Sequence, residues 1–406
     1  MKPDGPAWLA TTRDSGKLAV AVAAGVVFGY AISLSALFTR HVWILDAQGR
    51  PNVGDFLAFW SAGHLALNGA AVSAYDPHLQ HLAEAAATGH GFDGALEWPY
   101  PPLFFFVVAV LASLPYAGAF VAWCVATLAL YAGVTAKIAA KGSAAVVACA
   151  APAVLATLMA GQNGLLTASL IGLSLLLIEK RPALGGLVLG LLSYKPQFGI
   201  LFPLALAAGG YWRSFAWAGA AALVSNGLAA FVFGAGTVDG FFHAMGVTGD
   251  MRVAHAGMGW NKLQSVYGLL RALHCPGVAA WAAQACASAA VAVGVVASWR
   301  SRIAYALKAA ILAAAIPLAT PYILVYDLPM LSVAVAFLFR HRNFDGVEIV
   351  LLGVTIPCVF ALPWLPIPSA FFASLAVGAI VARRCHAMFP RRIDPTWAKA
   401  SLSSSE

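Results

Sequence analysis

Charge is what this sequence has least of. Of its 406 residues only 10% are charged and 61% are hydrophobic. A soluble chain of this length carries about 25% charged residues. A large soluble core would need far more charge to cover its surface, so the composition excludes it and implies a polytopic membrane protein. Cysteine is sparse too. Cys124, Cys149, Cys275, Cys286, Cys358 and Cys385 form no CxxC pair, so they read as small hydrophobes, not a disulfide framework or a zinc site. The chain lacks a Walker-type glycine-rich loop, an HExxH and a G-x-S-x-G, which leaves ATP-driven and serine-nucleophile chemistries unsupported. His78 and His81, three apart, could ligate a metal if helical, but no third ligand is evident. The net charge of +8 sits in short basic groups between apolar runs. Cytoplasmic membrane loops put it there, and no basic stripe with interleaved aromatics suggests nucleic acid.

What is present is a ladder of apolar runs. The first, Leu18 to Phe38, follows Lys2, Arg13 and Lys17 and reads as an uncleaved signal anchor running from inside to outside. Residues 39–100 form the longest hydrophilic stretch. Asp46, Asp55, Asp76, Glu84, Asp93 and Glu97 outweigh Arg40 and Arg50 there, as expected of the first extracytoplasmic loop. Within it, Asp55 to Leu67 predicts an interfacial helix, with Phe56, Phe59, Trp60 and Leu67 toward the membrane. Further runs are Leu103–Leu114, Ala119–Ile138, Ala144–Ala160, Leu165–Ile178, Ala183–Tyr194, Phe198–Ala208 and Phe215–Phe233. After a long loop, Gly234 to Leu263, come Val278–Ser298, Ile303–Ala319, Ile323–Phe339, Val347–Ala361 and Ala370–Ala382.

Several runs fall short of the roughly 20 residues a perpendicular span needs, which is tolerated where helices line a cavity. Placing Lys137/Lys141, Lys180/Arg181, Arg213, Arg300/Arg302, Arg340/Arg342 and Arg383/Arg384 inside satisfies the positive-inside rule. It requires Leu103–Leu114 to be a half-span or joined to its neighbour. The expectation is one domain over residues 1–406, all-α, a bundle of about 11–13 transmembrane helices with residues 383–406 as a cytoplasmic tail. The unusual polar residues then fall at one, outward end, and nothing comparable lies at the other.

Asp55, preceded by glycine and braced by aromatics, can act as a base at the membrane surface. It can equally be a helix N-cap. Lys195 lies against the positive-inside trend. It either snorkels to the interface or pairs with something, and a phosphate suits its compact charge. Gln162 and Asn163, in a Gly-Gln-Asn-Gly turn, can bond sugar hydroxyls or simply their own turn. Asn261 and Gln264 likewise suit hydroxyl recognition or a solvated loop.

The order of segments carries more than any one of them. Gly54-Asp55-Phe56 with Trp60 is followed by Gly69 and Tyr75-Asp76-Pro77, then by Tyr100-Pro101-Pro102-Leu103, Gly161-Gln162-Asn163 and Lys195-Pro196. Asn261 with Gln264-Ser265, and Thr320-Pro321 with Tyr326-Asp327, complete it. Over roughly Asp55 to Leu328 this resembles glycosyltransferase family 87, the bacterial integral-membrane group that includes polyprenol-phosphate-mannose-dependent α-1,2-mannosyltransferases. The resemblance implies a GT-C fold whose first outer loop carries the catalytic acid, here Asp55. It also implies a polyprenyl-phosphate sugar donor, a lipid or glycan acceptor, and a site on the extracytoplasmic face of the bacterial inner membrane, in cell-envelope chemistry. Asp55 would deprotonate the acceptor in a single inverting displacement and Lys195 would hold the donor phosphate. Gln162, Asn163, Asn261, Gln264, Trp60, Tyr100, Tyr322 and Asp327 would contact sugar or acceptor, with no cofactor required. Where family members carry histidine after the Ser/Thr-Pro pair, this chain has Tyr322, Tyr326 and Asp327, so the third helper and the sugar stay open. The competing reading is a transporter or a lipid or glycolipid flippase, which predicts midplane ionisable pairs and internal repeats. A further rival is a membrane oligosaccharide ligase or polymerase, which would call for a larger outer loop.

Overall fold

The structure, a computed structural model, describes residues 7–93, 96–254 and 259–388. Lys2 and the tail from residue 389, with Arg391 and Arg392, lie outside the described residues. Among the described residues the secondary structure is helical, with one isolated bridge between Leu45 and Pro51.

In chain order the helices are α1 (Ala7–Thr39), α2 (Asp55–Leu67), α3 (Pro77–Thr88), α4 (Phe105–Ala112) and α5 (Tyr116–Ala139). Then come α6 (Ser143–Cys149), α7 (Pro152–Ala160), α8 (Gly164–Ile178), α9 (Pro182–Leu191), α10 (Pro196–Gly199), α11 (Leu201–Gly209) and α12 (Trp212–Phe233). The remainder are α13 (Gly236–Ala254), α14 (Val266–Ala272), α15 (Gly277–Arg300), α16 (Tyr305–Ala319), α17 (Met330–His341), α18 (Gly346–Phe360) and α19 (Phe371–Met388). Short 3-10 turns at Ala71–Tyr75, Pro102–Phe104, Leu192–Tyr194, Trp260–Lys262 and Val325–Asp327 punctuate them.

The chain is an all-α, multi-pass membrane bundle. Residues 16–39, α5, α12 and α15 are long and apolar enough to cross a bilayer, and α6 with α7 forms an apolar pair bent by 65° near Pro152, a broken span or a re-entrant loop. Proline removes a backbone donor and clashes with the preceding turn, which accounts for the break. The rest of the expected ladder consists of shorter apolar helices, including 164–178, 305–319 and 346–360.

Local chemistry sets the ends. Asp76 caps α3, its Oδ1 accepting from the backbone N–H of His78 at 2.9 Å and Leu79 at 3.1 Å, with Pro77 in the first turn. Asp345 and Glu348 form a capping box on α18.

Three expectations need correcting. The segment from Gly234 to Leu263 is mostly helical, as α13. Phe56 and Phe59 do not face lipid: both are 1% exposed, and α2 turns them into the protein. Phe56 meets Phe120 at 5.0 Å and Tyr116 at 5.5 Å, while Phe59 meets Tyr100 and Phe104, each at 5.4 Å. Finally, the end opposite Asp55 is not plain. Arg384 is buried there, its Nε donating to Glu348 Oε1 at 2.8 Å and its Nη2 to Oε2 at 2.7 Å. Arg342 adds a 3.0 Å bond to the same carboxylate, and Arg383 bonds Asp345 at 2.7 Å. This network ties α17, α18 and α19 together. Lys141, over the Phe339 ring, and Arg340, donating to the Ile138 carbonyl, lie at the same end.

Candidate active site at the Gly161–Gly164 turn

The helices exist to bring a few polar groups to one turn. Gly161 ends α7 in the left-handed region, with φ of 64°, where a side chain is strained. A side-chain carbon there would also strike Phe56 and Phe120. Three residues on, Gly164 opens α8, and the carbonyl of Tyr326 presses against the place a Cβ would occupy. Glycine at 164 is therefore a packing requirement. Between them Gln162 and Asn163 are 7% and 0% exposed.

Gln162 reaches Asp55. Its Nε2 donates to Asp55 Oδ2 at 3.0 Å, across 107 residues of sequence. Its Oε1 accepts from the Tyr100 hydroxyl and from the Asn163 backbone N–H, each at 3.3 Å. Tyr100 is fixed in turn by the Tyr75 hydroxyl, which donates to its carbonyl at 2.8 Å. The half-buried Asp55 is the first residue of α2, with Gly54 at the N-cap position. The aromatic packing of Phe56 and Phe59 anchors the turn that carries it, each such pair contributing about 0.5–1.5 kcal/mol beyond area burial.

The other side of the turn leads to Lys195. The Asn163 carbonyl accepts from the Tyr194 hydroxyl at 3.4 Å, and that hydroxyl shares a 2.5 Å hydrogen bond with Thr167. Lys195 follows. Its Nζ lies 2.7 Å from Asp327 Oδ1, both side chains buried, and 5.3 and 5.7 Å from the ring centroids of Phe198 and Tyr326. The second oxygen of Asp327 accepts the Leu324 N–H at 3.1 Å, so the carboxylate is held by its own 3-10 turn. That turn is latched onto α7, where Thr157 donates to the Tyr326 carbonyl at 2.9 Å. An ammonium has three donors. Asp327 takes one of them.

Asn163 has neither amide atom bonded among the described residues although both are buried. Leaving such groups unmet costs about 1–3 kcal/mol each, and buried orphans concentrate where function requires them.

Asp55, Gln162, Asn163, Tyr100, Lys195 and Asp327 are thus one connected cluster. Others of the sequence-derived set lie apart. Trp60 donates to the Leu114 carbonyl at 3.1 Å and stacks on His64, bracing α2. Gln264 is buried and wholly engaged with backbone: its Nε2 donates to the Asn261 and Lys262 carbonyls and its Oε1 accepts from the Phe371 N–H. Asn261 donates to the Leu365 carbonyl at 3.4 Å, and Tyr322 packs beside Leu263 and Tyr267.

Sequence reading passed over Tyr194 and Thr167, although Tyr194 adjoins Lys195 in the same junction. It also passed over Gln80, whose Nε2 donates to the Ala58 carbonyl of α2 at 3.1 Å and to Glu84 at 3.0 Å. Burial pushes the Glu84 carboxyl up to about 7, against the lowering by the Gln80 amide and the Leu96 N–H. His81 lies 3.8 Å from that carboxylate and packs on Phe92. No cluster of three metal-ligating side chains occurs among the described residues.

A family model described as Glycosyltransferase family 87 matches residues 98–321. No curated protein and no solved structure matches the chain.

Proposed function

The chain belongs to glycosyltransferase family 87 and is a multi-pass membrane glycosyltransferase, and we propose that it moves a sugar, mannose first among candidates, from a polyprenyl-phosphate donor to a hydroxyl of a lipid or glycan acceptor. The observation that supports this reading most is the 3.0 Å bond from Gln162 to Asp55. It ties the carboxylate of the first loop to the turn beside Lys195.

In the proposed reaction Asp55 accepts the proton of the acceptor hydroxyl as its oxygen attacks the anomeric carbon. The bond from that carbon to the phosphate oxygen breaks on the opposite face, so configuration inverts. The electron pair leaves on the phosphate, which needs no general acid, so one carboxylate suffices where a glycoside hydrolase uses two. Lys195 stabilises the charge arriving on the phosphate, a preorganised electrostatic contribution. Asp327 is assigned to orienting the ammonium. Gln162 fixes the Asp55 rotamer, and the unbonded amide of Asn163 is assigned to a sugar hydroxyl. Tyr100 acts through Gln162. Asn261 and Tyr322 belong to the acceptor side, with Trp60 and Gln264 supporting the walls. In this reading the site lies on the extracytoplasmic face of the bacterial inner membrane, with the basic end at Arg342 and Arg384 inside.

The test is transfer from radiolabelled polyprenyl-phosphate mannose to a native lipid extract, in detergent and without nucleotide. General-base catalysis contributes about 10²–10⁴-fold, so Asp55→Asn should lose that much in kcat while folding normally. Full activity in that variant would remove Asp55 from the base role. Absence of transfer by folded wild type from mannose, glucose and arabinose donors would return the transporter reading to the front.

A further inference from the structure

A second polar constellation lies at the same end of the bundle. The Gln264 N–H donates to the Ile323 carbonyl at 2.8 Å, three residues before the Tyr326 carbonyl that packs on Gly164. Beside Gln264 opens a cavity of about 600 Å³, lined by Trp260, Asn261, Arg271, His274 and Pro366 together with Gly259 and Ala272.

Arg271 is held in place from two sides. Its guanidinium lies 4.7 Å above the Trp260 ring, and its Nη1 donates to the Cys275 carbonyl at 2.7 Å. Its Nε is buried without a hydrogen-bond partner among the described residues. The Tyr267 hydroxyl lies against the same guanidinium, and among the described residues no carboxylate lines the cavity. His274, exposed on the turn after α14, stands on the rim. A guanidinium that is stacked, tethered and short of acceptors is preorganised for an oxyanion, because its planar fork matches phosphate geometry. Leaving the buried Nε–H without an acceptor is costly, and a bound anion relieves that cost. Trp260 adds an aromatic face on which a sugar or glycerol moiety can stack.

We propose that this cavity is an anion subsite that takes a phosphate group carried by the acceptor, with Arg271 as its principal ligand and Asn261 and His274 as flanking donors. The assignment to the acceptor rests on the glycosyltransferase reading above; the anion site itself does not.

The experiment measures binding without transfer. Purified full-length protein in neutral detergent is titrated with sn-glycerol 1-phosphate and with inorganic phosphate, by calorimetry and by tryptophan fluorescence with Trp260→Phe as control. Wild type should bind saturably, weakening as ionic strength rises. Arg271→Gln should bind at least about ten-fold more weakly while unfolding at the wild-type temperature, the size of loss expected for one charge-assisted contact. His274→Gln guards against a fold defect and should lose less. No saturable binding by wild type, or unchanged binding by Arg271→Gln, overturns the proposal. Repeating the titration in phosphatidylcholine nanodiscs with and without phosphatidylglycerol separates the sources. Competition by the anionic lipid assigns the group to a lipid headgroup, and no competition assigns it to a soluble glycan. Binding that persists in a protein inactive with every donor would leave the anion site standing and the transfer reading fallen.

Discussion

Replacing Asp327 by alanine strands a buried ammonium. The Lys195–Asp327 pair is 2.7 Å apart, with side chains 6% and 3% exposed. Desolvation in such a place is severe, and removing one partner of a buried pair typically costs about 3–5 kcal/mol because the other charge remains. Asp327 also accepts the Leu324 N–H, so alanine opens the 3-10 turn as well. Asp327→Ala should therefore lose at least that much unfolding free energy in detergent. Lys195→Met combined with Asp327→Leu should recover most of it, since an apolar pair of similar volume is often neutral or stabilising. The double variant should still be inactive, because nothing then carries the positive charge assigned to the phosphate. The assay is a double-mutant cycle by denaturant unfolding, with transfer activity measured on each corner. A coupling energy under about 0.5 kcal/mol, or an Asp327→Ala protein as stable as wild type, would refute the reasoning. So would a double variant that retains transfer.

The turn between α7 and α8 gives two further expectations. Gln162→Leu removes the amide that holds Asp55 and should lower kcat by about 10–100-fold with little change in donor KM, read by steady-state kinetics. Gly164→Ala puts a methyl against the Tyr326 carbonyl and should cost about 1–3 kcal/mol by overpacking, measured by unfolding. The last concerns Glu84. Burial holds its carboxyl near pH 7 in the folded chain, against an ordinary 4.5, so the folded state binds the proton more tightly than the unfolded state. Stability is then fullest below about pH 4.5, falls as pH climbs toward 7 and is level above. Glu84→Gln mimics the protonated form. At pH 8 it should be more stable than wild type by on the order of 2–3 kcal/mol, a difference that shrinks toward zero near pH 4.5.

The apolar helices were legible as runs bounded by glycine, proline or charge, and Asp55 to Leu67 was read with its observed ends, whereas the more polar α3 and α13 were not read as helices. What faces what was not. In a bilayer both lipid and protein interior are apolar, so periodicity cannot tell whether Phe56 and Phe59 point to one or the other. Within the candidate site the residue types were legible and their pairing was not. Lys195 stood out as a lysine against the charge trend, but Asp327 is 132 residues away, and only tertiary packing brings it there. The basic groups at Arg342 and Arg384 satisfied the positive-inside rule, which counts charges and is silent on whether Glu348 neutralises them. Gln80 and Glu84, four apart on α3, carried a signal that their spacing alone could have raised.

Among the described residues two buried ion pairs do different jobs, and their surroundings say which. Arg384 spends its donors on Glu348 and on the carbonyls of Leu338, Arg342 and Asn343. Such a group has nothing left to offer a ligand, so it acts as a clamp on α17, α18 and α19. Among the described residues Lys195 donates one hydrogen bond, to a carboxylate that its own turn already holds. It lies one residue from Tyr194, whose hydroxyl reaches the Asn163 carbonyl, in the turn that also holds Asp55 through Gln162. A perturbation of this turn must therefore move the carboxylate and the ammonium together. Gln162→Leu and Asp327→Ala should consequently be less than additive in their effect on kcat, because each already loosens what the other would. Additive losses would mean that the turn joins the two groups in space without coupling them.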